Sequence, residues 1–342
     1  MLAILIAIVL AFLIVVLVLP SMIETLKQKG FVGIDVHKKD RPEVAKGGGI
    51  VVLFAIVTSL LIVIGLTTFQ AQDIVNPGLL AAMVSILMAA IIGLLDDSLD
   101  FRNRTKIALP MIASIPMIVM QVGTTTMSIP FLGTVDLGIL YPLVIVPLMM
   151  TFIIDSTNMY GGMNGLEAGL SAVNSSAAVL YVVLLPLTAG VAIPQTQVDA
   201  GVVAGALMGA SIGFLLFNRY PARILPGDVG RLPMGAAIAA ALILGNMDRL
   251  AVLLYLPFGL NFLLYIFYKV RINRTRGEYR KFAGPREDGT LEVAGPYTIY
   301  WILPHLSKNV TEKKNVNLLV LLQAVIAYGA VALLLVFQLL GL

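Results

Sequence analysis

Long stretches without a single Asp, Glu, Lys or Arg alternate with short charged segments along this chain. The uncharged runs cover Met1–Ile23, Gly47–Gln72, Ile74–Leu95, Ile107–Val135, Leu137–Ile154, Ala168–Val198, Ala200–Asn218, Leu232–Met247, Leu250–Tyr268 and Val316–Leu342. A helix of about 20 mostly apolar residues crosses a bilayer. The pattern therefore predicts an all-α polytopic membrane protein of about ten spans, with Leu232–Met247 the shortest. Val293–Ser307 is apolar but broken by Pro296 and Pro304, which predicts an interfacial or re-entrant segment. Met1–Ile23 has neither a basic flank before it nor a small-residue cleavage site after it, so it reads as a first span and not as a removed leader.

Composition sharpens this picture. Of 342 residues, 59% are hydrophobic and 12% charged, against about 45–50% and about 25% in soluble domains. That excludes an ordinary soluble enzyme, a disordered chain and a nucleic-acid-binding domain. With no cysteine there is no disulfide framework and no thiolate chemistry, and His37 and His305 are too far apart for a familiar metal motif.

Charge orients the spans. With the loop after the first span inside, the inside loops 24–46, 96–106, 155–167, 219–231 and 269–315 hold 22 of the 23 basic residues; only Arg249 falls outside. Basic loops stay on the cytoplasmic side, so both termini are expected to face outward. Asp73, Asp136, Asp199 and Asp248 fall outside as single loop residues, and the other acids fall inside. Acidic and amide clusters thus converge on one face.

Three clusters carry candidate chemistry. In GLLDDSLDFRNRTK, Asp96, Asp97 and Asp100 are spaced to share a helix face, with Arg102, Arg104 and Lys106 just downstream. Hard carboxylate oxygens suit Mg²⁺ or Mn²⁺ together with phosphate oxygens. In DSTNMYGGMNGLEAG, Asp155, Asn158, Asn164 and Glu167 are interleaved with glycines, and this inside loop has no basic residue to explain its polarity. In FNRYPARILPGDVGRLPMG, Asn218, Arg219, Arg223, Asp228 and Arg231 surround a Pro-Gly-Asp turn, which suits metal and phosphate contacts. A solvated helix end or a plain Gly/Asn turn would account for one such cluster; three on one face point to a site.

The loop 269–315 carries seven basic residues between Lys269 and Arg286. They serve as a positive-inside anchor and would also attract anionic headgroups or a phosphorylated substrate. Its EDGT segment predicts a β-hairpin turn, so the loop is expected to be an ordered lid within a single membrane domain spanning 1–342. Gly201, Gly205, Gly209 and Gly213 recur every four residues and predict a close helix-packing face.

GIDVHKKDRPEVAKGGG, GLLDDSLDFRNRTK, DSTNMYGGMNGLEAG and FNRYPARILPGDVG occur in one order and at matching span positions. In this the chain resembles the polyprenyl-phosphate N-acetylhexosamine-1-phosphate transferases, the glycosyltransferase 4-like family, nearly end to end. The resemblance implies a ten-span fold, a Mg²⁺ site on the cytoplasmic face and a groove for a lipid phosphate. It implies Asp96 and Asp97 as catalytic carboxylates, Asn158 and Asp228 as metal ligands, and Lys106 as a phosphate contact. Asn164 would read the uracil edge, Glu43 would lie near the nucleotide, and Asn218 belongs to the same substrate face. The arginine-rich last loop resembles the N-acetylglucosamine-phosphate transferases of archaea and eukaryotes, where arginines bind the pyrophosphate; Arg280 and Arg286 are the nearest matches.

The expected reaction joins a UDP-N-acetylhexosamine, chiefly UDP-N-acetylglucosamine, to a polyprenyl or dolichyl phosphate, with loss of UMP. Such chemistry depends on positioning and charge neutralisation by Mg²⁺ and basic groups. The expected partners are these substrates and the bilayer, a homodimer being compatible; the host membrane is the plasma membrane in a prokaryote or the endoplasmic reticulum in a eukaryote. Two alternatives are a UbiA-type prenyltransferase, which DDSLD would suit but which needs a second Asp-rich repeat, and a cation-coupled transporter, which would place ionisable groups within spans.

Overall fold

The computed structural model describes residues 1–71, 77–129, 133–189 and 192–340. Asp73 with the rest of 72–76, and residues 130–132, 190–191 and 341–342, lie outside the described residues. The molecule is an all-α polytopic membrane protein. Eight described helical segments are long and apolar enough to cross a membrane. They are α1 (Leu2–Gln28), α2 (Gly49–Ala71), α3 (Pro77–Leu99), a π-helical turn (Tyr141–Ile145) running into α6 (Val146–Met159), α7 (Leu166–Ala189), α8 (Gln195–Asn218), α10 (Asp248–Thr275) and α12 (Glu312–Leu339).

The remaining two uncharged runs form shorter helices. Ile107–Val135 does not make one long span: α4 (Asn103–Ala113) stops at Ser114, α5 (Ile115–Val119) restarts with Pro116 in its first turn, and the chain then becomes extended. Proline lacks the amide that would continue a helix. Beyond it, Gly123 at φ +99° and the β-branched Thr124–Thr126 lead into an antiparallel hairpin of β3 (Thr126–Ile129) and β4 (Gly133–Asp136). The eighth run is α9 (Asp228–Leu244), in which every residue except Asp228 and Arg231 is buried. Its Gly- and Ala-rich surface lets neighbouring helices approach closely, so α9 is the axis around which the others pack.

Two acids expected in outer loops are buried at helix starts instead. Asp199 lies in the first turns of α8, where Gln195 Nε2 donates to it at 2.9 Å; Pro194 starts this helix earlier than the charge pattern suggests. Asp248 opens α10 and accepts from Tyr141 Oη at 2.9 Å. The four-residue glycine repeat of α8 packs on α1 as expected: a Cβ on Gly209 would sit 2.1 Å from the Ile8 carbonyl oxygen.

Small strands tie the loops of one face together. β1 (Val32–Ile34) pairs antiparallel with β2 (Glu43–Lys46), and β2 pairs parallel with β5 (Ile224–Leu225), joining the loops after α1 and α8. The last polar loop contains the expected hairpin, β6 (Gly284–Pro285) with β7 (Leu291–Glu292). Its turn is fixed by Asp288, which accepts from the Thr290 amide (3.0 Å) and hydroxyl (2.6 Å), and by Gly289 at φ +79°. The proline-broken segment forms α11 (Ile299–Leu306), too short to cross a bilayer, with Trp301 buried.

Candidate active site

Neighbouring residues on a helix point about 100° apart, so the Asp96–Asp97 pair at the end of α3 serves two different neighbours. Asp96 is buried; its Oδ1 accepts from the Phe101 amide at 3.0 Å and meets Lys106 Nζ of α4 at 2.9 Å. Lys106 also meets Asp100 at 3.2 Å. Burial pulls the Lys106 pKa down, but the bonds to Asp96 and Asp100 outweigh it and raise the pKa. Asp97 turns to the other side, with Oδ1 2.9 Å from Lys46 Nζ and Oδ2 accepting from the Val229 amide at 3.0 Å. Val229 is the second residue of α9, so Asp97 satisfies one of the open donors at that helix start.

Glycines set the distances. A Cβ on Gly93 would lie 2.2 Å from the Asp228 carbonyl oxygen, and one on Gly49 would lie 2.1 Å from Gly230 Cα. The amides of Gly47 and Gly48 both donate to Leu225 O at 3.1 Å, and that of Gly49 to Pro226 O at 3.0 Å. The triple glycine is thus a seam that docks the Pro-Gly-Asp turn, and with it Asp228, against α2 and α3.

Asp228 is approached by Arg231 Nη1 at 3.5 Å, and Arg231 Nη2 pairs with Glu167 at 2.9 Å. Glu167 in turn accepts from the Gly162 amide at 2.8 Å, which links the glycine-rich loop to α9. Burial pushes the Asp228 carboxyl up to about 6; Arg231 opposes this, while a hydrogen bond to Asp96 and the charges of Asp97 and Asp96 add to it. Asp155 and Asn158, nearly one turn apart on α6, line one small cavity with Asp96 and Lys106. The donor set of Asp96, Asp97, Asp228 and Asn158 is all oxygen, and the Asp228 carboxyl is raised first by burial and further by the neighbouring Asp96 and Asp97. These residues fit a hard divalent cation.

The structure therefore brings Asp96, Asp97, Asp228, Asn158 and Lys106 into one cluster at the ends of α3, α4, α6 and α9. Others stand apart. Asn218 is buried, with Oδ1 accepting from the Gly165 amide (3.1 Å) and Nδ2 donating to Ile224 O (2.8 Å), so it clamps two loops. Asn164 accepts at Oδ1 from Lys38 Nζ and the Ala222 amide, both at 2.9 Å. Glu43 is exposed at the start of β2, opposite Ile34.

On the last loop, Arg280 lies 3.6 Å from Glu292, and Arg286 donates to Thr290 Oγ1 (3.3 Å) and Lys308 O (3.2 Å); neither meets the carboxylate cluster among the described residues. The hairpin does fold toward the glycine-rich loop, where Phe282 lies beside Gly162 and edge-on to His37. Sequence reasoning gave Lys46 no role, although it is the one charge between Glu43 and the triple glycine. Only the parallel β2–β5 pairing, with Lys46 opposite Leu225, carries it to Asp97. Asp155 and Arg231 were visible as cluster members without an assigned partner.

An integral-membrane helical bundle with an acid, amide and lysine cluster at the ends of its helices is the class that fold and site define. The chain belongs to glycosyl transferase family 4, whose profile matches residues 79–246. It is 35% identical over 272 residues to a Saccharolobus solfataricus protein provisionally named UDP-N-acetylglucosamine–dolichyl-phosphate N-acetylglucosaminephosphotransferase, covering 80% of this chain and 79% of that one. The Dictyostelium discoideum enzyme of that name is 30% identical, over 72% of this chain and 67% of its own. A phospho-N-acetylmuramoyl-pentapeptide-transferase of Clostridioides difficile is 29% identical, over 86% and 92%.

Proposed function

We propose that this protein transfers N-acetylglucosamine 1-phosphate from UDP-N-acetylglucosamine to a polyprenyl phosphate such as dolichyl phosphate. The observation that carries the reading is the convergence of Asp96, Asp97 and Asp228 with Lys46, Lys106 and Arg231 at the ends of apolar helices. An anionic headgroup whose tail stays in the bilayer meets the site there. The relatives' names supply the substrates, and their activity disfavours the prenyltransferase and transporter readings.

A lipid phosphate oxygen attacks the sugar-linked phosphorus, the phosphoanhydride bond breaks, and its electron pair leaves on UMP. The acceptor phosphate is already largely ionised near neutral pH, so Asp96 acts mainly by orienting it or taking a residual proton. Asp228 and Asn158 would hold Mg²⁺, with Asp97 beside them. Bound there, the ion would neutralise pyrophosphate oxygens as charge shifts to the leaving group. Lys106 and Lys46 supply fixed positive charge at the same place, and Arg280 and Arg286 offer further anion contacts from the hairpin lid. Asn164 reads the uracil edge, Asn218 holds the glycine-rich loop beneath it, and Glu43 lies on the nucleotide side. An apolar groove of about 430 Å³ between α6 and α10, lined by Phe152, Tyr255 and Leu260, suits part of the isoprenoid tail.

We place this site on the cytoplasmic face of a ten-span, single-domain protein with outward termini. The test is UMP release by purified protein given UDP-N-acetylglucosamine and dolichyl phosphate, with Mg²⁺, with Mn²⁺ and with EDTA. Metal-dependent UMP release coupled to a new lipid diphosphate sugar is expected. Undiminished turnover in EDTA would refute the metal assignment, and absence of UMP under every condition would refute the reaction.

A further inference from the structure

Behind the glycine-rich loop lies a second polar cluster that the carboxylate site does not use. The ammonium of Lys38 pairs with Asp35 Oδ2 at 2.8 Å and with Glu312 Oε2, donates to Asn164 Oδ1 at 2.9 Å, and lies 4.4 Å from the centre of the Tyr220 ring. Asp35, Glu312 and Asn164 are all buried. Asp35, His37 and Glu312 bring ligand atoms within 4.8 Å of one another, a spacing that suits a metal ion. Lys38 bridges both carboxylates, however, so this cluster already contains its own cation. The partners come from four separate places: the loop after α1, the glycine-rich loop, the loop after α8 and the first turn of α12. Glu312 also accepts from the backbone amide of Asn164 at 2.7 Å.

An amide has an accepting end and a donating end, and here the surroundings decide which faces inward. Asn164 Oδ1 accepts from the Lys38 ammonium and from the Ala222 amide, both obligate donors, and so uses both its lone pairs. Turned by 180°, the NH₂ group would face two donors and leave both unpaired, at a cost for each buried group. Asn164 Nδ2 has no hydrogen-bond partner among the described residues. A side chain fixed this way can only donate to a ligand, so it selects an edge that accepts, such as a pyrimidine carbonyl.

We propose that Lys38, held by Asp35 and Glu312, is the positioning residue that locks the Asn164 amide with its NH₂ outward and so sets the site's selection for a nucleobase carbonyl. The inference rests on the reading of Asn164 as the uracil contact and adds the device that orients it. Lys38 touches no substrate; it acts through Asn164.

A double-mutant cycle on UMP affinity tests this, using full-length protein in detergent, with calorimetry and the UMP-induced rise in unfolding temperature as two readouts. Asn164→Ala is expected to weaken UMP about five- to tenfold, the loss of one donated hydrogen bond. Lys38→Met should weaken UMP to the same extent, and the double variant should be no weaker than either. With UDP-N-acetylglucosamine, Lys38→Met should raise KM in the same proportion and leave kcat within about threefold, since contact to a non-reacting base is mostly uniform binding. Lys38→Met leaves two buried carboxylates unpaired, so the neutral variant D35N/K38M/E312Q provides the same test if the single variant does not fold. Unchanged UMP affinity in Asn164→Ala would overturn the uracil reading itself. A weakened Asn164→Ala beside an unchanged Lys38→Met or neutral variant would overturn the role of Lys38 alone. Losses that simply add in the double variant would do the same.

Discussion

Replacing Gly93 with alanine adds one methyl group in α3 and removes no polar group, yet it is expected to disable the site. The new Cβ would lie 2.2 Å from the Asp228 carbonyl oxygen, 2.5 Å from its carbon and 2.8 Å from the Val229 nitrogen. All three are backbone atoms, so no side chain can rotate out of the way. Ordinary contact begins near 3.4 Å, so α3 and the start of α9 must separate by about 1.2 Å. That would stretch the Asp97–Val229 bond from 3.0 Å to about 4.2 Å, beyond hydrogen-bond range, and carry Asp96 and Asp97 away from Asp228. Overpacking of this kind costs about 1–3 kcal/mol of stability. A misplacement of about 1 Å in a positioning site costs about 100-fold in rate, equivalent to about 2.7 kcal/mol of barrier. The assay is UMP release from UDP-N-acetylglucosamine and dolichyl phosphate, read beside the unfolding temperature. Gly65→Ala serves as the control: nothing lies within 4 Å of its Cβ position, so it should keep full activity and gain up to about 1 kcal/mol of helix stability. Turnover by Gly93→Ala within threefold of the unaltered protein would show that the glycine seam does not set the site's geometry.

Asn158→Ala should depress kcat while saturating UDP-N-acetylglucosamine rescues Asn164→Ala, because a metal ligand acts on charge developing in the transition state and a base contact does not; equal kcat losses in both variants would contradict the division of this loop. Asp228 gives a pH signature. Its carboxyl is raised from 3.8 to about 6 by burial, so the folded metal-free protein holds this proton more tightly than the unfolded chain. The group's stabilising contribution is complete below about pH 4 and is lost as pH climbs through about 6. Mg²⁺ requires the deprotonated carboxylate, so the rise in unfolding temperature on adding Mg²⁺ should grow across that window; in Asp228→Asn it should stay small and flat, and a pH-independent rise in the unaltered protein would count against the assignment. Lys46→Met should lower kcat/KM about tenfold by removing the ammonium 2.9 Å from Asp97. The Lys46 side chain is 42% exposed, so stability should change by less than about 1 kcal/mol; a stability loss much larger than the activity loss would make it a structural pair.

Much of this molecule is decided locally and is therefore readable along the chain. Whether a segment enters a bilayer depends on its own length and apolarity, so the uncharged runs became helices, and the glycine repeat of α8 did become a packing face against Ile8 of α1. Where a run was long enough to hold competing signals, the local rule lost. Ile107–Val135 carries Pro110, Pro116 and Gly123, and the helix yields to a break and a hairpin. The acidic, amide and Pro-Gly-Asp clusters were legible because each is dense in chemistry over a few residues.

What only the tertiary structure decided is which of those groups meet. Lys46 and Asp97 become partners because β2 lies parallel to β5, and Lys38 and Asn164 are 126 positions apart before one ammonium joins them. Asn218 sits inside a promising motif, yet both ends of its amide are taken by backbone. Asp199 and Asp248, expected as solvated loop residues, are buried at helix starts. A carboxylate's partner, and hence its charge state, depends on side-chain direction and on interhelical distance. Both are settled by the packing of the whole bundle around α9, where the missing Cβ of Gly93 or Gly49 moves an entire helix. No window of neighbouring residues contains that sum.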